Sequence, residues 1–265
     1  MDDETCFAEM QLWGKVQAGG SRDNALDGTD IILHEGDSVR VPLQVDADRF
    51  LRFALGFPRH YLEKTPPIEV VRHYGLMEGL GGRAVISSLA EENGLWRLCL
   101  VARDRSFLFA RIAGSLSAFG MNIVAAEAFA NESALVLDTF RFGDPKARFR
   151  DDAERRAFQA LLEEAIEGRA ELPEPAEPQG ASGSLRPAFD DRSHPEWTRL
   201  VVEGPDRFGL LYRVSRALSE AGCSIERAHI ATPDSGVHDE FYLSEGGARL
   251  TARTRTALAA ALAGL

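Results

Sequence analysis

The sequence predicts an α+β protein that contains two copies of one small folding unit. The stretch DRFGLLYRVSRALSEAGCSI, from Asp206 to Ile225, repeats DRSFLFARIAGSLSAFGMNI, from Asp104 to Ile123, 102 positions later. The triplet DTF at Asp138 returns as DEF at Asp239, 101 positions later, so a single deletion explains the difference. In each copy the apolar residues follow the period of a strand and then that of a helix. Two similar units therefore follow each other along the chain.

The composition favours a protein of the cytoplasm. The chain has a net charge of -11, which disfavours nucleic acid as a partner because phosphate binding requires clustered Lys and Arg. It has no apolar run near the length that a membrane helix needs, and its acidic N-terminus does not resemble a secretory signal. Cys6, Cys99 and Cys223 are too widely spaced to indicate a disulfide framework or a zinc site.

Each copy begins with a strand and a helix. The apolar stretches from Leu95 and from Trp197 predict strands that run into an Asp-Arg turn. A helix should follow, ending at Gly120 in the first copy and Gly222 in the second. Its apolar face recurs at helical spacing. The residues of this face are Leu108, Ile112, Leu116 and Phe119 in the first copy, and Leu210, Val214, Ala217 and Ala221 in the second.

Two more strands and a second helix complete each copy. The strands should form a hairpin that ends in the DTF or DEF segment. The closing helices are predicted at Asp151 to Glu167 and at Thr251 to Leu262, with Thr251 as N-cap. We therefore expect the order strand, helix, strand, strand, helix in both copies.

A proline-rich connector follows the first copy, and its sequence suggests where a fourth strand lies. Residues 171–183 contain three prolines and two glycines and should form a loose excursion. Ser184 to Asp191 then reads as an edge strand of the first copy, which completes the ferredoxin-like order βαββαβ. The second copy lacks such a strand, so we expect Arg83 to Ala90 to cover its open edge. These interpretations divide the repeats into residues 83–194 and 195–265.

A short helical segment precedes the repeats. Asp48 to Leu55 and Pro66 to Glu78 are the predicted helices of a linker over residues 46–82, the second one started by Thr65 and prolines. Residues 1–45 match no pattern and are left unassigned, as a segment that could be flexible. Gly19 to Asp30 only loosely imitates a nucleotidyltransferase loop, and a flexible loop is the preferred interpretation.

The D-R-x-G-L turn, the G-x-x-I strand entry and the D-x-F strand together resemble ACT domains, small ferredoxin-like modules that bind amino acids. The chain from about Asp48 onward is most similar to the tandem ACT pair at the C-terminus of bacterial PII-uridylyltransferase/uridylyl-removing enzymes, which report glutamine. FPRHYLEKTPPIEVVRH, from Phe57 to His73, resembles the stretch that precedes that pair.

The catalytic domains of that family have no counterpart in the sequence. Their nucleotidyltransferase domain needs spaced carboxylates for Mg²⁺, and their phosphohydrolase domain needs several His and Asp ligands. The His238-Asp239 pair lies within the predicted D-x-F strand, and the other histidines are scattered. We therefore expect no enzymatic activity, no metal site and no cofactor.

The resemblance implies two amino-acid sites, each shared by the two copies. A helix N-terminus offers N–H groups to a carboxylate, and a neighbouring strand supplies a polar side chain. Carried over residue by residue, one site joins Asn122 to four residues of the second turn, Asp206, Arg207, Gly209 and Leu210. The other joins Ser224 to four residues of the first turn, Asp104, Arg105, Phe107 and Leu108.

Phe107 stands where the second copy has Gly209, and this difference predicts that only one site is open. Glycine lets the backbone approach a ligand, whereas Phe107 adds a ring. We expect one glutamine-like amino acid per chain at the Gly209 turn and a degenerate site at Phe107. The expected function is a non-catalytic sensor that acts on a partner enzyme or on its own dimer. The alternatives are a structural or interaction module in which both turns bind nothing and Phe107 fills an apolar gap.

Overall fold

The computed structural model describes residues 16–17, 28–34, 37–42, 47–175, 183–232 and 236–265. It divides into an N-terminal region up to Gly81, with Asn131–Leu135, and a repeat region formed by Gly82–Ala130 and Val136–Leu265. Cys6 and most of the Gly19 to Asp30 loop lie outside the described residues. No helix in the described part of the chain is long and apolar enough to cross a membrane.

The N-terminal region contains three strands that the sequence analysis left unassigned and three helices. The strands are β1 (Val16–Gln17), β2 (Gly28–His34) and β3 (Asp37–Pro42), paired in that order. The helices are α1 (Ala47–Leu55), α2 (Arg59–Lys64) and α3 (Pro67–Leu80). Helix α2 was not predicted, and α3 begins after Pro66, with Pro67 in its first turn, rather than after Thr65. Buried aromatic rings pack between α1 and α3, with Phe50 and Tyr74 centroids 5.3 Å apart.

The first repeat begins with a hairpin of β4 (Val85–Glu92) and β5 (Leu95–Arg103). Helix α4 (Leu108–Ala118) follows, and then β6 (Asn122–Ala130), β7 (Leu135–Gly143), a 3₁₀ turn (Arg148–Arg150) and α5 (Asp152–Ile166). The second repeat has the same order, and its elements are β8 (Arg186–Asp190), β9 (Thr198–Gly204), α6 (Leu210–Glu220), β10 (Ser224–Ala231), β11 (Val237–Ser244) and α7 (Ala252–Ala263).

The two repeats share one eight-stranded sheet in the order β4-β5-β7-β6-β10-β11-β9-β8. The middle of the sheet is an antiparallel pairing of β6 with β10, in which Ala128 lies opposite Ala228. Buried apolar side chains of both repeats form a continuous cluster under helices α4 to α7. The α+β class with two ferredoxin-like units side by side is thus confirmed.

The two edge strands were assigned to the wrong repeats. β4 pairs with β5 of the first repeat, not with the second repeat, and β8 pairs with β9 of the second repeat, not with the first. The edge strand therefore comes first in each repeat, giving ββαββα in place of βαββαβ. Asn93 and Gly94 explain the first error, because both have positive φ, 53° and 79°, as a two-residue hairpin turn requires. This pairing leads us to propose a boundary between the repeats before β8 instead of at residue 194.

Candidate functional site

Both repeats present the N-terminus of a helix beside the first residues of the other repeat's central strand. Helix α4 starts after Phe107 and α6 starts after Gly209. No side chain in the described part of the chain caps either helix. The N–H groups of Leu108 and Leu210 donate to the carbonyls of Arg105 and Arg207, and the next N–H groups of each first turn, which have no acceptor within the helix, can bind an anion.

Phe107 and Gly209 have almost the same backbone conformation. Phe107 has φ 65° and ψ 10°, and Gly209 has φ 74° and ψ 6°, both in the left-handed region. The turn therefore keeps its shape in the first repeat, although a residue with a Cβ is strained there. The difference that the sequence analysis emphasised changes the side chain and leaves the backbone unchanged.

A cavity of about 320 Å³ lies at the N-terminus of α4, and we call it the Asp138 cavity. All five residues of the predicted degenerate site line it. They are Asp104, Arg105, Phe107, Leu108 and Ser224. The remaining lining residues include Asp138, Ala128 and Cys223. The guanidinium of Arg105 is anchored at this rim, since its Nη1 donates to the carbonyl of Ile166 at 3.1 Å.

The matching space at α6 measures only about 20 Å³, and we call it the Asp239 cavity. It brings together Asn122, Asp206, Gly209 and Leu210, as the resemblance implied. Arg207 is not part of its lining. Its guanidinium donates to the carbonyl oxygens of Leu265 and Gly183. The cavity beside Phe107 is therefore the larger one, whereas the ring of Phe107 led us to expect the larger cavity beside Gly209.

Each cavity contains a buried aspartate that the sequence analysis treated as structural. Asp138 is completely buried, and neither carboxylate oxygen has a hydrogen-bond partner within the described part of the chain. Burial, with a smaller contribution from the charge of Asp104, raises the pKa of Asp138 well above its usual value. Burial likewise raises the pKa of Asp239 to about 7, and Asp206 adds to this shift. A signal was available, because both aspartates alternate with core residues along their strands.

The Asp138 cavity therefore favours an anion at one point and a cation at another. The α4 N-terminus and the nearby Arg105 favour a carboxylate. The Asp138 carboxylate, without a partner of its own, favours a cation such as an ammonium group. Among the described residues there is no group of three or more His, Cys, Asp or Glu side chains that could hold a metal ion.

Comparison with known proteins finds one matching domain family and several similar chains. The ACT domain family matches residues 198–263. The bifunctional uridylyltransferase/uridylyl-removing enzyme of Nitrobacter winogradskyi is 33% identical over 63% of this chain and 19% of its own length. Its namesake in Phenylobacterium zucineum is 33% identical over 76% of this chain and 23% of its own length. An aspartate kinase structure from Synechocystis aligns with a TM-score of 0.34 and 17% identity, over 59% of this chain and 25% of its own.

The chain spans about a fifth to a quarter of the length of these curated relatives. The shared part is their C-terminal region, and the repeat at residues 95–167 has the same elements as the matched ACT domain. Residues 198–263 are thus an ACT domain that follows a repeat with the same elements, and the chain is similar to the C-terminal region of uridylyltransferase/uridylyl-removing enzymes.

Proposed function

We propose that this chain is a non-catalytic sensor that binds a free amino acid of the glutamine class in the Asp138 cavity. The ligand carboxylate is held by N–H groups of the first turn of α4 and by Arg105. The ligand ammonium pairs with Asp138. The signal passes to a partner enzyme or to a second copy of the chain.

The observation that carries this proposal is the buried carboxyl group of Asp138, which has no hydrogen-bond partner among the described residues. A carboxylate without a partner destabilises the folded state, and such groups are rare in proteins unless a function requires them. A ligand ammonium would supply the missing partner. The cavity of about 320 Å³ has room for a small ligand, and its polar lining, which includes Ser106, Ser219 and Ser224, suits a ligand with a polar side chain.

The alternative is an interaction module in which the ACT pair binds no small molecule. A thermal-shift screen of the twenty common amino acids separates the two, because a ligand that binds only the folded state raises the melting temperature. We expect L-glutamine or a close relative to raise it. A flat response to all twenty would favour the interaction module.

Asp138→Asn tests the site directly, because it removes the charge and keeps the shape. Losing the partner of a buried charge typically costs about 2 to 5 kcal/mol of binding free energy, so affinity should fall at least tenfold. Isothermal titration calorimetry measures this change. Asp239→Asn is the matched control, and it should bind as the wild type does. Equal affinities for wild type and Asp138→Asn would place the ligand elsewhere.

A further inference from the structure

The two cavities are built from corresponding residues, and yet one is far larger than the other. Each contains an aspartate on the turn, a leucine that opens the helix, and an isoleucine on the central strand of the other repeat. Serine also occupies the same helix position in both, as Ser117 and Ser219. The volumes are nevertheless about 320 Å³ and about 20 Å³. The cause must lie at the few positions where the linings differ, or in a segment such as Pro175 that packs against only one of the two turns.

The Phe107 side chain does not make the Asp138 cavity smaller, and Gly209 affects the other cavity only by leaving space that Pro175 of the connector occupies. Phe107 and Gly209 share one backbone conformation, and the larger side chain belongs to the larger cavity. Phe109 likewise corresponds to the smaller Leu211, so it too favours a smaller Asp138 cavity. The Phe109 ring packs against the aromatic core instead, with its centroid 5.1 Å from that of Phe140.

Among the positions that line both cavities, three others differ in the required direction. On the floor of the sheet, Ala128 of the Asp138 cavity corresponds to Ile230 of the Asp239 cavity. After the glycine that ends each helix, Cys223 corresponds to Met121. At the mouth, where both residues are exposed, Ser224 corresponds to Asn122.

The two floor residues show how the difference arises. Ala128 faces Ala228 across the central strand pair, so two short side chains lie next to each other. Ile230 faces Ala126 and is buried with only 3% of its surface exposed. A protein interior fills available space closely, so the longer side chains of Ile230 and Met121 take the volume that the other cavity leaves empty.

We propose that Ala128, Cys223 and Ser224 hold the Asp138 cavity open, while Ile230, Met121 and Asn122 fill its counterpart. These wall residues, and not the Phe107 side chain, decide that the chain binds one amino acid instead of two. The inference rests on the proposed function for the identity of the ligand. It deepens that function because it names the residues that select which site is occupied.

Reciprocal exchange of the floor pairs tests the inference by calorimetry with L-glutamine. Wild type should bind one molecule per chain. Ala128→Ile/Cys223→Met should weaken binding at least tenfold, and Met121→Cys/Ile230→Ala should bind two molecules. Ala102→Ile, a buried strand position that lines neither cavity, controls for overpacking and should keep one site. Circular dichroism confirms folding, and the milder Ala128→Val and Ile230→Val replace any variant that fails to fold.

A second measurement needs no ligand. In a Cys6→Ser/Cys99→Ala background, Cys223 is the only remaining thiol, and a small thiosulfonate reagent should modify it through the cavity. Ala128→Ile should slow this reaction at least tenfold. Adding Cys223→Ser to this background removes the last natural thiol, and Met121→Cys then introduces one in the Asp239 cavity. That thiol should react at least tenfold faster when Ile230→Ala is also present.

The outcomes separate the two proposals. If the wild type binds one molecule and Ala128→Ile/Cys223→Met binds it with unchanged affinity, the inference is overturned and the sensor function is retained. Absence of binding to any of the twenty amino acids would contradict the sensor function, and the thiol rates would still decide the inference. If neither Ala128→Ile nor Ile230→Ala changes the rate at which the thiol is modified, the inference is overturned.

Discussion

At the residue scale, the two aspartates of the D-x-F strands matter most. Asp138 lies between Val136 and Phe140 on the core face of β7, and Asp239 occupies the same place on β11. An acidic side chain at such a position reduces the stability of the fold.

The raised pKa of Asp239, about 7, predicts that stability declines as the pH rises. The unfolded carboxyl loses its proton near pH 4, so between about pH 4 and 7 the folded state holds more protons. Asp239 by itself should lower the free energy of unfolding by about 1 kcal/mol per pH unit in that window. Asp239→Asn should reduce this slope and leave the part that the raised pKa of Asp138 contributes, as urea denaturation at pH 5, 6, 7 and 8 will measure.

Asp190→Asn is the control for that experiment. Asp190 is accessible, and hydrogen bonds from Ser193 and from the backbone of Arg192 lower its pKa. Its removal should leave the decline between pH 5 and 7 in place. Parallel pH profiles for wild type and Asp239→Asn would contradict the assignment of the decline to Asp239.

Gly209 has a structural role that the sequence did not reveal. A Cβ built on Gly209 would overlap the ring of Pro175, which comes from the connector after the first repeat. Arg213 holds that segment in place, since its Nη2 donates to the Pro175 carbonyl at 2.9 Å. The second repeat thus leaves room at this turn for a residue of the connector.

Gly209→Ala should therefore destabilise the protein more than a glycine replacement in open space. A left-handed conformation costs about 1 to 2 kcal/mol for any residue with a Cβ, and overlap with Pro175 adds about 1 to 3 kcal/mol. Gly222→Ala, with φ 77° and nothing within 4 Å, is the control for the first effect. Urea denaturation should show the surplus, and Pro175→Gly should remove it. An equal loss in the two glycine variants would argue against the contact.

At the element scale, the short hairpin turn determines which repeat an edge strand joins. β4 and β5 are separated only by Asn93 and Gly94, so β4 has no freedom to reach another sheet. β8 reaches β9 through a longer loop and remains an edge strand, as its Pro187 predicted. Local turn chemistry was the better guide to pairing than the search for an uncovered edge.

Helix α7 offers a test of local stability because its predicted cap is present. The Thr251 hydroxyl accepts a hydrogen bond from the Thr254 backbone N–H at 3.2 Å. Thr251→Ala should cost about 1 kcal/mol of the free energy of unfolding. Thr256→Ala, at an exposed position of the same helix, should stay within about 0.5 kcal/mol of wild type. Equal effects in urea denaturation would mean that the cap contributes nothing.

At the scale of the repeat region, the two repeats should unfold together. The central strand pair and one continuous apolar cluster join them, so neither can lose its structure without exposing the core of the other. This expectation contrasts with the picture of two independent domains that a sequence repeat suggests.

Two tryptophans make this testable. Trp96 packs against Phe149 in the first repeat, and Trp197 stacks on His194 in the second, with centroids 4.0 Å apart. Trp13→Phe/Trp197→Phe leaves only the first reporter, and Trp13→Phe/Trp96→Phe leaves only the second. Circular dichroism gives the unfolding midpoint of each variant as a whole. Tryptophan fluorescence should give the same midpoint in both variants. A reporter that departs from the overall transition would show independent unfolding.

The sequence by itself determined the repeat and the helices that close it. These features depend on local spacing, such as the apolar face of α4 and the glycines Gly120 and Gly222, whose φ of 77° ends each helix. Helical periodicity and chain reversal depend on neighbouring residues, and a single sequence displays them.

Only the tertiary structure decided which cavity is open. The turn residues, Phe107 and Gly209, suggested one answer, and the volumes are the opposite. The reason is physical: cavity volume depends on how side chains from several strands and helices fill shared space, and Ala128 and Cys223 are far apart in the sequence. The sequence names these residues, but only the packed sheet brings them to the same wall.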